Sequence, residues 1–177
     1  DGAICLVLCN EDNAKASGKP YVTLEGRGFY HEGFHQIGDQ VTDMTAFPAA
    51  GIACEQALSQ AGKILADIDV AELYAPCTIT EVLVSEAMGF FPRGDGVRAL
   101  LDGETHLHGS RPINTSGGCL SRGHPPQITA LYGLLELREQ LLGLAGERQI
   151  KNAERGIHTC ELGNYNAALT HILERSA

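Results

Sequence analysis

The sequence predicts an α/β domain, a mixed sheet of about five strands with helices on both faces. Strand-like and helix-like patterns alternate along the chain, and glycine or proline closes most of the helical ones. The 177 residues suffice for one packed domain and are few for two. We therefore expect residues 1–177 to form a single domain around one continuous apolar core.

The N-terminal region predicts two strands and a short helix. Residues Ala3–Cys9 (AICLVLC) are apolar on both faces and rich in strand formers, which predicts a strand buried on two sides. Glu11–Gly18 predicts a short helix closed by its final glycine, and Tyr21–Arg27 alternates as a second strand. Gly26–Asp39 holds four glycines and no clean period, which predicts a loop.

The rest of the chain continues the alternation. Apolar residues at helical spacing predict three further helices: Ala46–Ala61, Thr78–Met88 and Pro126–Leu142. Strand signals recur in four short segments: Val70–Tyr74, Pro112–Asn114, Arg155–Cys160 and Ala167–Leu173.

Composition and charge exclude several classes of protein. The net charge of −9 is spread along the chain without a run of Lys or Arg, which argues against a nucleic-acid partner. The apolar runs are far shorter than the roughly 20 residues of a membrane span, and we expect no secretory signal. The six cysteines are scattered through the chain. We interpret them as reduced thiols, which predicts a cytoplasmic protein.

One segment matches a metal-binding pattern. Residues His31–His35 (HEGFH) fit the zinc-protease pattern HExxH, which works only when a helix brings both histidines to one face. The surrounding glycines disfavour a helix, so we expect a polar loop. The pairs Cys5/Cys9 and His106/His108 lack further ligands at usable spacing. The sequence therefore predicts no metal site.

The segment Asn114–Pro125 (NTSGGCLSRGHP) has a pattern suited to catalysis. A turn at Gly117-Gly118 and a second at Gly123 place His124 on a tight loop that leads into a helix. At a helix N-terminus, backbone N–H groups and the helix dipole favour developing negative charge. A histidine there can donate to an oxyanion or activate a nucleophile.

The same segment resembles the N-x-S/T-GG-x-x-x-x-GHP signature of thiolases, especially sterol-carrier-protein-type thiolases and acetyl-CoA acetyltransferases. The resemblance covers nearly the whole chain in order, so the fold it implies is the thiolase C-terminal domain. The other matching segments are Asp1-Gly2-Ala3, Ala61-Gly62 with Asp67-Ile68-Asp69, Glu72-Leu73-Tyr74, Glu86–Phe90, and Glu139–Gly143 with Arg148-Gln149.

The resemblance implies a thiolase-like acyltransferase that cleaves or condenses acyl-coenzyme A thioesters and has no tightly bound cofactor. His124 corresponds to the GHP histidine, the acid/base that activates a nucleophilic cysteine. Cys160 falls where thiolases keep a second cysteine that moves protons, and Tyr74 stands on the loop that helps to bind the thioester oxygen. The implied substrate-binding residues are Asn114, Gly117, Gly118, Gly123 and Gly163.

Departures from the family pattern leave two alternatives open. Ala75 and Pro76 replace an acid and a cysteine of the relatives, and Leu162–Asn166 keeps one glycine in a segment that is otherwise glycine-rich. These changes are compatible with a non-catalytic binding or assembly module. Part of a thiolase-fold retro-aldolase of steroid side-chain degradation is the other alternative. Tyr74 favours it, whereas His124 counts against it because those enzymes replace the GHP histidine with tyrosine.

The family's nucleophilic cysteine belongs to the first half of the fold, which this chain lacks. Residues 1–10 resemble the last strand of that half. The resemblance therefore implies that this chain alone catalyses no acyl transfer. It also implies association with another copy or with the N-terminal half.

Overall fold

The computed structural model describes residues 2–32, 43, 45–125, 127–162 and 165–176. Its helices are α1 (Glu11–Ala16), α2 (Pro48–Ala61), α3 (Thr80–Ala87), α4 (Gly96–Leu101), α5 (Gly118–Ser121) and α6 (Thr129–Leu141). Its strands are β1 (Val22–His31), β2 (Val70–Leu73), β3 (Arg155–Leu162) and β4 (Ala167–Arg175).

The strands form one mixed sheet in the order β1-β4-β3-β2. Strand β4 pairs antiparallel with β1 and β3, and β2 runs parallel to β3. Helix α2 packs mainly on β1 and β4, whereas α6 packs on β2 and β3 from the other side of the sheet. The predicted α/β class, with a mixed sheet and helices on both faces, is confirmed.

The expected fifth strand is absent from the described residues, and Pro112–Asn114 forms a single parallel bridge, Ile113 with Ala71, beside β2. The carbonyl of Pro112 accepts from the Ala71 N–H, and the Asn114 N–H donates to the Ala71 carbonyl. Asn114 then adopts a left-handed backbone with φ of 54°. This conformation turns the chain away, so the extended pairing ends after one residue.

The prediction that Ala3–Cys9 forms a strand buried on both faces is wrong for this structure. Residues 2–10 form no helix or strand, and the Val7 and Leu8 side chains are each 87% exposed. A strand exists through pairing of its backbone N–H and C=O groups. No described strand lies beside this segment to supply those partners.

Strand β1 extends through residues for which we expected a loop. Gly26 and Gly28 lie inside it, where a Cβ atom would collide with the backbone carbonyls of Ala57 and Ala53 in α2. The glycines therefore serve close packing between strand and helix. From the sequence alone, Gly26 and Gly28 show only the low strand preference of glycine, which is why we expected a loop.

Two apolar clusters, one on each face of the sheet, replace the single continuous core that we expected. The larger lies between α2, α3 and the sheet, and α2 contributes mainly alanines to it. The smaller lies under α6, where Leu137 and Leu141 meet Val70 and Leu173. The sheet separates the clusters because successive strand residues face opposite sides, as Ile172 and Leu173 do. Among the described residues, no helix has the length and apolar character needed to cross a membrane.

Candidate active site

The loop that carries His124 connects α5 to α6, with a glycine turn at the start of α5 and a third glycine next to the histidine. Gly117 and Gly118 have φ values of 87° and 57°, and Gly123 has a φ of 107°. All three lie in the left-handed region that favours glycine. His124 itself is exposed, and the N-cap of α6 is Ile128, so the histidine lies one turn before the helix rather than at its cap.

His124 is held by hydrogen bonds on both ring nitrogens. Its Nε2 lies 3.0 Å from the Tyr74 hydroxyl, and its Nδ1 lies 2.9 Å from the Thr129 hydroxyl. The Thr129 hydroxyl donates its proton to the Pro125 carbonyl at 2.7 Å. Thr129 Oγ1 must therefore accept from Nδ1–H, which leaves the Nε2 lone pair to accept from Tyr74. In the neutral imidazole, this network selects the Nδ1–H tautomer of His124.

Tyr74 is placed by the sheet, immediately after β2. Its backbone N–H donates to the Thr159 carbonyl at 3.2 Å, which continues the pairing with β3. Its ring meets the His124 ring edge-on, with centroids 5.4 Å apart. Burial raises the pKa of Tyr74, and the nearby thiols of Cys119 and Cys160 raise it further. The phenol therefore stays protonated at neutral pH and donates to His124.

Cys160 lies in β3 and is half-buried. Burial raises the pKa of its thiol to about 11, with further contributions from Glu161 and Cys119. The thiol is protonated at neutral pH and lies close enough to Tyr74 to affect the pKa of that hydroxyl. The structure thus brings Tyr74, His124 and Cys160 to one region. The predicted binding residue Gly163 lies outside the described residues.

Asn114 is half-buried and hydrogen-bonded to β2 and α3. Its Oδ1 accepts from the Leu73 N–H at 2.8 Å, and its Nδ2 donates to Glu81 at 2.6 Å. A Cβ atom at Gly118 would lie 3.3 Å from the Asn114 Cγ, so this glycine permits the start of α5 to pack closely against the amide. Asn114 therefore links the loop to β2 and α3, and contact of Asn114, Gly117, Gly118 and Gly123 with a substrate stays a prediction.

The structure adds two polar residues that sequence reasoning missed. Thr129 fixes the His124 ring, as described above. Glu72 is buried on β2 and accepts from the Ser116 N–H at 3.0 Å and the Ser116 hydroxyl at 2.7 Å. Burial raises the pKa of Glu72 to about 7, although those hydrogen bonds and Arg122 act in the opposite direction. Thr129 could have been found from the sequence, because it is a hydroxyl residue five positions after the GHP histidine.

The HExxH hypothesis finds no support among the described residues. His31 ends strand β1, so the pattern does not begin on a helix, and Gly33, Phe34 and His35 lie outside the described residues. Within the described part of the chain, no three or more His, Cys, Asp or Glu side chains are arranged to hold a metal ion.

The mixed sheet and the His124 loop, which follows a glycine turn, define a thiolase-type C-terminal domain. Residues 21–175 match the family described as "Thiolase C-terminal domain-like", and the chain belongs to that family.

The similarity to three relatives covers most of this chain but less than half of each relative. The chain is 34% identical to the acetyl-CoA acetyltransferase of Methanothermobacter thermautotrophicus, over 99% of this chain and 45% of that protein. It is 36% identical to sterol carrier protein 2 of Gallus gallus, over 68% of this chain and 22% of that protein. It is 34% identical to benzoylsuccinyl-CoA thiolase subunit BbsB of Thauera aromatica, over 71% of this chain and 32% of that protein.

Among solved structures, the fold resembles a chain of the Ltp2-ChsH2(DUF35) aldolase with a TM-score of 0.74 and 24% identity, over 88% of this chain and 40% of that chain. This likeness shows the fold alone. The chain spans less than half the length of each of these relatives.

Proposed function

We propose that this domain is the C-terminal portion of a cytoplasmic thiolase-like acyltransferase. It acts on acyl-coenzyme A thioesters, with His124 as the acid/base and with the nucleophilic cysteine supplied by a thiolase N-terminal half. No tightly bound cofactor is required. The observation that carries the proposal is the hydrogen-bond chain from Tyr74 through His124 to Thr129, which presents a basic Nε2.

His124 would act first as a base and then as an acid. Nε2 takes the proton of the thiol nucleophile, and Thr129 stabilises the resulting imidazolium because its oxygen already accepts from Nδ1–H. The imidazolium then returns the proton to the departing thiolate. The Tyr74 hydroxyl can donate to a developing oxyanion, and the protonated Cys160 thiol can supply a proton at the α-carbon.

The relatives support the substrate class. Acetyl-CoA acetyltransferase and benzoylsuccinyl-CoA thiolase both carry coenzyme A thioesters in their names, and each is 34% identical to this chain. A shared domain and a matching GHP loop favour the same class of substrate here.

The experiment compares two histidine variants of the domain joined to its thiolase N-terminal half. His124→Gln should lower kcat for thiolysis of acetoacetyl-CoA by about 10²–10⁴-fold, the range expected for a general acid/base. His106→Gln, at an exposed histidine that contacts His108, is the matched control and should retain full activity. Equal kcat values for His124→Gln and wild type would refute the assignment.

The same assay separates the two alternatives. A retro-aldolase would cleave a β-hydroxyacyl-coenzyme A without added thiol, and Tyr74→Phe would then cost more activity than His124→Gln. A non-catalytic module would show neither reaction in the assembled protein.

A further inference from the structure

A small cavity lies between the end of β2 and helix α6, and its lining includes Tyr74 and Thr129, the two hydrogen-bond partners of His124. Its volume is about 10 Å³. Glu72 and Tyr74 line it from the end of β2, His158 from β3, Arg122 from the start of the His124 loop, and Gly133 from α6. It therefore lies where the sheet, the loop and helix α6 meet.

Arg122 brings two unsatisfied donors to this cavity. Its Nε and Nη1 atoms are buried and form no hydrogen bond to the described residues. The guanidinium lies over the Tyr132 ring, 4.7 Å from its centroid, which fixes its plane but gives neither N–H an acceptor. A buried charged donor without an acceptor carries its full desolvation penalty. An acceptor is therefore expected inside the cavity.

Glu72, which also lines the cavity, can accept one more hydrogen bond. Its Oε1 accepts from the Ser116 N–H and lies 3.3 Å from the Thr115 hydroxyl, whereas its Oε2 accepts only from the Ser116 hydroxyl among the described residues. Each carboxylate oxygen has two lone pairs, so Oε2 retains capacity. The group between Arg122 and Glu72 must thus accept on one side and donate on the other.

Helix α6 leaves the necessary space at Gly133. A Cβ atom there would lie 2.6 Å from Cδ2 and 3.0 Å from Nε2 of His158, a side chain that is 3% exposed. Any larger residue would fill this part of the cavity wall. The imidazole Nε2 is therefore a third polar atom at the cavity.

We propose that this cavity is a binding site for one ordered water molecule, which accepts from Arg122 and donates to Glu72. A single water needs roughly 10–15 Å³ and two to four polar partners, and the cavity supplies both. The water would tie β2 to the loop that carries His124. The inference does not depend on acyl transfer, so it stands or falls separately from the proposed function.

A crystal structure of the chain at high resolution tests the site directly. We expect a solvent peak within about 3.2 Å of both the Arg122 guanidinium and Glu72 Oε2. Direct pairing of Arg122 with a protein acceptor across a closed cavity would overturn the proposal. A crystal soaked in bromide should show no anomalous peak there, because such a peak would make the site an anion site.

Solution NMR provides a second measurement with a matched control. The Ala130 methyl group lines the cavity, so wild type should show a nuclear Overhauser cross-peak between this methyl and long-lived water. Arg122→Met removes both donors and should abolish the cross-peak. Arg98→Met, at an arginine whose side chain is 83% exposed, should retain it. No cross-peak in wild type, or an unchanged one in Arg122→Met, would contradict the proposal.

Discussion

At the scale of single residues, the orientation of His124 depends on a hydroxyl from the first turn of the next helix. Thr129 is 5% exposed and uses both of its hydrogen-bonding functions, as acceptor from His124 and donor to Pro125. The ring nitrogen that faces Tyr74 is basic only because the other nitrogen keeps the proton. Thr129 is therefore a positioning residue.

The tautomer is a direct test of this role. In ¹⁵N NMR spectra of the chain recorded at alkaline pH, wild type should show the Nδ1–H form of His124. Thr129→Val keeps the side-chain volume and removes the acceptor, so the Nε2–H form should become populated. Thr129→Ser should restore the wild-type spectrum. A predominant Nε2–H form in wild type would contradict the assigned network.

Two buried carboxyls predict an unusual dependence of stability on pH. Burial raises the pKa of Glu161 to about 8 and that of Glu72 to about 7, well above the value of 4.5 for an ordinary glutamate. Between pH 6.5 and 8 the unfolded chain has ionised both groups while the folded chain still binds protons. Stability should therefore fall as pH rises through this window, by up to about 1.4 kcal/mol per pH unit for each carboxyl.

Glu161→Gln removes one of these protons while retaining an oxygen for Thr159, which donates to Glu161 at 3.2 Å. Urea unfolding at several pH values should show a shallower slope for this variant than for wild type. The exposed Glu147→Gln is the control and should keep the wild-type slope. A wild-type unfolding free energy that rises from pH 6.5 to pH 8 would show that the sign is wrong.

The sequence predicted the site residues that belong to a short motif. It did not predict the residues that only folding brings together. His124 and Tyr74 were named because they stand in recognisable segments, and they meet at 3.0 Å. Glu72 and Arg122 lie 50 positions apart in sequence, and only folding brings them to one cavity. Their burial, which shifts the pKa of Glu72, is a property of tertiary packing that no short motif records.

At the scale of elements, helix α2 protects the free edge of β1. Among the described residues, strand β1 pairs on one side only, with β4. Its outward N–H groups at Arg27 and Phe29 donate to Gln60 and Gln56 of α2 at 2.8 and 3.0 Å. An unpaired edge is a template for pairing with other chains. The two glutamines, one helical turn apart, satisfy this edge.

Replacement of both glutamines should expose that edge locally. In Gln56→Ala/Gln60→Ala, amide hydrogen exchange at Arg27 and Phe29 should accelerate about fivefold or more, the factor that corresponds to one hydrogen bond of ~1 kcal/mol. The amides of Gly26 and Gly28 are the internal controls, because alternate residues of an antiparallel strand point to the opposite edge. Equal acceleration at all four amides would indicate general destabilisation and contradict edge protection.

The boundaries of β1 show where the sequence-based assignment of elements failed. The helices at α2, α3 and α6 were predicted because apolar spacing is a local property, and each lies within its predicted range. Gly26 and Gly28 were interpreted as loop residues because glycine weakens strands. Their close contact with Ala53 and Ala57 depends on a helix 20 or more residues further along, which local reasoning cannot see.

At the scale of the whole molecule, several exposed apolar residues predict association. Val7 and Leu8 are each 87% exposed, and Leu101 of α4 is 78% exposed. Burial of such exposed apolar side chains against a second chain is favourable. Light scattering on the purified chain should therefore report a mass above that of one chain, and Val7→Ser/Leu8→Ser should lower it. A monodisperse monomer across the micromolar range would contradict the prediction.

The central claim is that His124 performs acid/base chemistry on a coenzyme A thioester only when a nucleophilic cysteine is supplied. The most direct measurement is exchange of labelled coenzyme A into acetyl-coenzyme A. We expect no exchange by this chain alone, exchange when it is joined to a thiolase N-terminal half, and a loss of about 10²-fold or more in the joined His124→Gln variant. Exchange by the chain alone, or a joined His124→Gln protein as active as wild type, would contradict it.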